Sequence, residues 1–310
     1  MKIMITGGAG FIGSHLSDLL LKNKHKIIVL TRNKKNENIS HLKNKIKIEV
    51  VDITNFEKLG KIIQKHKPQV IVHLAGETSH SKSFEHPLYD VDVNSKSTLF
   101  ILEKIRQLNL KCRFILGSTF IVVGKPKKLP VTENTGNSPT TVYGVNRLSS
   151  EYFCKIYHRL YGLDIVTFRI TNSFGPREQV ISKKNAVNFL IFQAFKGEKI
   201  TIFDHGKFFR DMIYVSDVVS AISIIIKKGK PGNLYWISSG KKTWFYQFGK
   251  FLEELTNTKI KYIPSPNYTK KVDVGNFVVD NSKLKSLGWK PLISVKQGIK
   301  ETLNYFQTTS

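Results

Sequence analysis

Hydrophobic positions in the first half of the chain follow two alternating rhythms. Short runs rich in β-branched residues, Lys2–Thr6, Lys26–Thr31, Ile46–Val51, Gln69–Leu74 and Arg113–Gly117, read as buried strands. Between them lie stretches with helical spacing. Phe11–Asn23 places Ile12, Leu16, Leu19 and Leu20 on one face, and Phe56–Lys65 has a similar pattern. Strands alternating with helices of this length imply right-handed βαβ units and a parallel sheet covered on both faces. Asp164–Ile170 reads as one more buried strand, and after Pro176 the rhythm changes to shorter strands, extra loops and three late helices. The pattern therefore predicts an α/β fold. A Rossmann-type, doubly wound parallel sheet occupies residues 1–175. A smaller C-terminal α/β lobe, built mainly from residues 176–310, binds substrate, with the chain crossing back to the sheet.

Composition narrows the class. With 41% apolar and 11% aromatic residues the chain buries an ordinary core, which excludes global disorder. No apolar stretch approaches the ~18 residues of a membrane span. The first residues run as a strand into glycines with no small-residue cleavage site, so no secretory signal is expected. Cys112 and Cys154 have neither zinc-ligand spacing nor a framework of bridges, and a reducing, cytoplasmic setting is expected. The net charge of +26 comes mostly from 41 lysines that never run longer than two. A nucleic-acid site would cluster its bases and interleave arginines and aromatics, so no specific nucleic acid is expected. The charge reads as a solvated surface that also attracts anionic substrates.

The first chemical motif is a glycine turn. Ile3-Met4-Ile5-Thr6 runs into Gly7-Gly8-Ala9-Gly10-Phe11-Ile12-Gly13 and then into the amphipathic helix. Glycines there allow unusual torsions, close approach of a pyrophosphate and tight packing of helix on strand. The helix N-terminus adds free N–H groups and partial positive charge. The end of the second strand selects the dinucleotide. An acid would hold the adenosine ribose hydroxyls, but this chain has Thr31-Arg32-Asn33-Lys34-Lys35. Arg32 offers a guanidinium to a 2′-phosphate, which favours NADP over NAD. Asp52, just after the third strand, is placed to touch the adenine or to cap the helix that starts after Asn55.

A second constellation concerns proton transfer. In Tyr143-Gly144-Val145-Asn146-Arg147 the phenol and the cation share one helical face. A nearby cation stabilises phenolate, so Tyr143 is expected to titrate below the usual ~10 and to exchange protons with a carbinol. Gly117-Ser118-Thr119, at a strand end, offers a hydroxyl to the same oxygen.

Together these residues reach a resemblance. The chain resembles the extended short-chain dehydrogenase/reductases, in the NAD(P)-dependent nucleotide-sugar epimerase/dehydratase group, from Met1 to about Phe306. The matching motifs are Thr6–Gly13, His73-Leu74-Ala75-Gly76, Asn94, Thr119, Tyr143-Gly144, Asn172-Ser173-Phe174-Gly175-Pro176-Arg177, Arg210-Asp211-Met212-Ile213-Tyr214-Val215 and Leu287-Gly288-Trp289. The resemblance implies an NAD(P) site made by Gly7, Gly10, Phe11, Ile12, Gly13, Arg32, Asp52, Ile53, Leu74, Ala75 and Asn94, with Tyr143 and Arg147. It makes Thr119 and Tyr143, with Arg147, the catalytic group. It turns Asn172, Arg177 and Arg210 toward the diphosphate of a nucleotide sugar, with Lys270 where relatives often carry an arginine. A homodimer is implied, through helices beginning near Asp90 and Tyr143.

Two departures from the family pattern matter. Arg147 stands where the family has lysine; it keeps the charge but is planar and bulkier. Phe120 and Ile121 stand where the family's dehydratases carry an Asp-Glu pair, and its decarboxylases place a glutamate at the second of these positions. Neither side chain moves a proton, so dehydration and decarboxylation are disfavoured. What remains is 4-epimerisation through a transient keto-sugar, or a single NADPH-dependent reduction of a keto-sugar. Glu77 and His80, after the fourth strand, are candidates for a second acid/base. The net charge and Arg147 keep open a third reading, a catalytically weak scaffold that binds RNA or another polyanion.

Overall fold

The protein is described by a computed structural model covering residues 1–33, 36–180, 185–264 and 273–309. Its centre is a seven-stranded, wholly parallel sheet. The strands are β1 (Lys2–Thr6), β2 (Lys26–Thr31), β3 (Lys47–Val50), β4 (Val70–His73), β5 (Arg113–Thr119), β6 (Ile165–Ile170) and, from much later in the chain, Leu234–Ile237. From one edge the order is β3, β2, β1, β4, β5, β6 and then Leu234–Ile237. The reversal between β1 and β4 opens a crevice at the carboxyl ends of the strands, where such sheets bind ligands.

Both faces of the sheet are covered. On one, α1 (Phe11–Lys22) buries Leu16 and Leu20 against Val218, Ile222 and Ile225 of the helix Val215–Lys228. Each fully buried leucine contributes roughly 1.5–3 kcal/mol. On the other lie α2 (Phe56–His66), α5 (Ser97–Gln107) and α6 (Val142–Tyr161). Side-chain caps place two of these starts: Asn55 accepts from the Lys58 N–H, and Thr141 from the Gly144 N–H. Between β4 and α5 come α3 (His80–Glu85), α4 (Pro87–Val91) and a π-helical turn, Asp92–Lys96.

The later chain divides its work. Helices α7 (Ala186–Phe195), α9 (Phe245–Thr256) and Val295–Thr309, with strands Ile200–Phe203 and Ile260–Ile263, build a separate apolar cluster around Ile191, Phe248, Ile299 and Phe306. The helix Val215–Lys228 (α8) and the strand Leu234–Ile237 return to the main sheet. Among the described residues five helices follow Pro176, counting the short Ser282–Lys285, where the sequence suggests three. The reason is local. Helix α7 is apolar almost all round and so carries little helical periodicity, and Ser282–Lys285 is a single turn.

Candidate active site

One cleft of about 1450 Å³ runs along the carboxyl edge of the sheet and under the second lobe. A single small-molecule site takes roughly 300–1,000 Å³, so there is room for two ligands end to end. Of the residues singled out from the sequence for dinucleotide, catalysis or substrate, all but Lys270 and His80 line this cleft; Lys270 lies outside the described residues. Glu77 also lines it. His80 opens α3, and its side chain lies outside what the structure describes.

The glycine turn is built by backbone. Gly7 has φ +67°, its carbonyl accepts from the Gly10 N–H at 2.9 Å, and Gly10 begins α1 with no side-chain cap. A methyl group on Gly7 would press on the Ala75 backbone at 2.9 Å, and one on Gly13 would drive into the Gly7 carbonyl. The helix end therefore faces the cleft with uncapped N–H groups, as a pyrophosphate requires. This cradle, together with the partnerless buried Asn94 Oδ1 on the cleft wall, fits a dinucleotide.

The flanks of the turn carry interactions that sequence patterns do not reveal. Arg177, with φ +65°, sends Nη1 to Asp18 Oδ2 at 2.6 Å on α1. Asn38 Nδ2 donates to the carbonyls of both Ala9 and Arg177. The Pro176–Arg177 loop is thus tied to the glycine turn. Arg32 is exposed, and its Nη1 donates to the Tyr89 hydroxyl at 3.3 Å. Asp52 accepts from Thr54 N–H and Oγ1 at 2.9 and 2.7 Å, while Asn55 caps the following helix.

The catalytic corner is assembled from side chains. Thr119 ends β5, where its Oγ1 accepts from the Ile121 N–H and its hydroxyl hydrogen-bonds Tyr143. Ser118 is committed elsewhere: it donates to Glu151, which forms a buried ion pair with Arg169. Arg147 is 4% exposed, and its Nε has no partner among the described residues. Such a buried cation is costly unless a ligand or a nearby charge compensates. His73, fully buried under the corner, contacts Thr6 Oγ1 and Ser97 Oγ. Burial, with Arg147 nearby, lowers its pKa to about 3, so it is neutral.

Tyr143 corrects one expectation. Burial raises the phenol above its usual value and outweighs the lowering by Arg147 and by the Thr119 hydrogen bond. Asp90 and Glu77 raise it further. Helical periodicity pairs the phenol with the cation; the desolvation and the two carboxylates come from other segments of the fold.

Comparison with known proteins now bears on this geometry. A family model described as GDP-mannose 4,6-dehydratase matches residues 4–302. The chain belongs to the nucleotide-sugar epimerase/dehydratase family of extended short-chain dehydrogenase/reductases. Among similar members of that family is the UDP-glucose 4-epimerase of Thermotoga maritima, solved with UDP-glucose. It is 32% identical with a TM-score of 0.91, covering 100% of this chain and 99% of that one. The UDP-glucuronic acid 4-epimerase of Bacillus cereus, in complex with UDP-glucuronic acid and NAD, is 27% identical with a TM-score of 0.87, covering both chains fully. The dTDP-glucose 4,6-dehydratase of Salmonella typhimurium is 28% identical over 99% of this chain and 92% of its own. Family membership thus includes relatives of both reaction types.

Proposed function

We propose that this protein is a nucleotide-sugar 4-epimerase that works on an NDP-hexose through a transient keto-sugar. The observation that carries the reading is the catalytic corner. Thr119, Tyr143 and Arg147 meet on the cleft, while the two residues after Thr119 are Phe120 and Ile121, which supply no acid for an elimination. A bound nicotinamide dinucleotide would accept the sugar's hydride and return it to the opposite face. Tyr143, reacting as the phenolate, takes the hydroxyl proton as the ketone forms and gives it back on return. Thr119 orients the phenol, and Arg147 offsets part of the burial that opposes phenolate. Asn172, Arg177 and Arg210 line the cleft and are assigned to the sugar diphosphate. Arg210 is held ready by Asp273 and by the carbonyls of Phe209 and Gly275.

The cofactor is proposed as NAD(P), with Arg32 favouring NADP. A second reading, NAD, has its support in the relative that carries NAD; in it Arg32 keeps its bond to Tyr89. Calorimetry separates the two, and Arg32→Asp should turn an NADP preference toward NAD. A wild-type preference for NAD would overturn the first reading. Arg32 also keeps the NADPH-dependent ketoreductase as the alternative activity.

A homodimer is proposed from an apolar face that α4 and α6 leave bare. Leu88 is 82% exposed, and Val145, Tyr152 and Ile156 recur at helical spacing on α6. Sedimentation should show two copies, and Ile156→Asp should yield one.

The decisive experiment incubates the protein with UDP- and dTDP-hexoses and follows the products by nuclear magnetic resonance. A C4 epimer formed without net consumption of dinucleotide supports the proposal. A 4-keto-6-deoxy product, or stoichiometric use of NADPH, would replace it with dehydration or reduction.

A further inference from the structure

Beside the tyrosine lies a carboxylate that the catalytic reading leaves without a task. Asp90, on α4, is 1% exposed. Its Oδ1 accepts from Asn146 Nδ2 at 2.7 Å and its Oδ2 from Asn94 Nδ2 at 3.0 Å. Asn146 immediately precedes Arg147 on α6, and Asn94 sits in the π-helical turn at the cleft. An ionised carboxylate only accepts, so both amides must present their NH₂ groups to it. The amide of Asn94 is then fixed in polarity: Nδ2 is spent on Asp90 and on the Glu77 carbonyl at 2.9 Å, and Oδ1 is left without a partner. That oxygen and the head of Arg147 converge beside Gly76. A Cβ built there would meet Asn94 Oδ1 at 2.6 Å and Arg147 Nη1 at 3.5 Å.

We propose that Asp90 is a positioning residue for the Tyr143 site. Its carboxylate turns the Asn94 acceptor toward the dinucleotide and supplies the buried negative charge that opposes Arg147 at the phenol. The proposal rests on the reading of Tyr143 as the proton-transfer group. The charged and polar groups that face Tyr143 are Arg147 from its own helix, Asp90 from α4, Glu77 from the segment after β4 and the Thr119 hydroxyl from β5. His73 of β4 is neutral and adds no charge. Among these, Asp90 alone also grips both neighbours of the cation, the preceding residue and the acceptor across the cleft wall. Its loss should therefore change two separate quantities, the ionisation of the phenol and the strength of the Asn94 contact.

Both are measurable on the full-length protein without turnover. Ultraviolet difference titration, with the matching Tyr143→Phe protein subtracted, isolates this phenol. Asp90→Asn should raise its acid dissociation constant about threefold to tenfold, since a negative charge near the phenolate is gone. An unchanged constant would overturn the electrostatic half of the proposal, because a merely structural residue would not move it. The other half is read by calorimetry with NAD and NADP on Asp90→Asn, Asn94→Ala and the double variant. Losses smaller than additive are expected, because without Asp90 the Asn94 acceptor is no longer aimed. Strictly additive losses would overturn that half. Should Asp90→Asn fail to fold, Asn146→Ala keeps the carboxylate and strips one donor from it, so the phenol constant should fall. No change there would also sink the idea. A protein inactive on every nucleotide sugar would remove the epimerase reading and still leave these titrations decisive.

Discussion

The glycine turn and the tyrosine corner, two ends of one cleft, are built in opposite ways. The turn is seven consecutive residues whose usefulness lies in missing atoms: no Cβ on Gly7 or Gly13, no side-chain cap on α1. The corner gathers side chains from residues 77 to 147, carried by the segment after β4, by α4, by β5 and by α6, and depends on charges being present. A backbone site is damaged by adding atoms and loses affinity. A side-chain site is damaged by removing charge and loses the right ionisation. The two ends should therefore fail independently.

The largest expected effect tests that independence. Tyr143→Phe should lower turnover by ~10²-fold or more, on the scale of general acid–base catalysis, with dinucleotide affinity little changed by calorimetry. Near-normal turnover would break the assignment of the corner. Gly13→Ala is the mirror experiment. Overpacking of about 1–3 kcal/mol should weaken dinucleotide binding by roughly tenfold while the Tyr143 titration stays in place. A shifted phenol would show that the two ends are mechanically coupled.

Smaller effects sharpen the contrast within the corner. Because Arg147 lowers a phenol that burial has raised, Arg147→Met should raise it further. The rising limb of the pH–rate profile should then move to higher pH, with about a tenfold loss at neutral pH, while Arg147→Lys keeps the charge and the profile. Identical profiles for all three proteins would remove the cation from the mechanism. The smallest effect is on stability. The His73 imidazole has a pKa of about 3 in the fold against 6.5 when free. Above pH 6.5 it is neutral in both states and costs nothing. As pH falls below 6.5 the unfolded chain takes up a proton that the fold refuses, so stability drops by up to ~1.4 kcal/mol per pH unit. Unfolding free energies from denaturant titrations at pH 7 and pH 5 should differ by about 2 kcal/mol more in the wild type than in His73→Gln. Equal differences would mean that His73 is not held neutral.

The sequence by itself determined the parallel sheet, the glycine turn and the membership of Thr119, Tyr143 and Arg147 in one site. The sheet, the turn and the shared helical face of Tyr143 and Arg147 rest on short-range rules: strand and helix periods, torsions open only to glycine, and two residues one helical turn apart; the place of Thr119 beside them rests on the family resemblance. Strand limits inferred from the pattern lie within about two residues of those observed. The apolar α7 was the hard element to read, since a helix apolar on most sides carries little periodic signal. Only the tertiary structure decided the net direction of the Tyr143 pKa, the tie from Arg177 to Asp18, and the grip of Asp90 on Asn94 and Asn146. Asp90 lies 56 residues from Asn146, and Arg177 lies 159 from Asp18. Desolvation and Coulomb interaction depend on distance through space and on what excludes water. Neither quantity exists until the chain has folded, so no reading of neighbouring letters contains it.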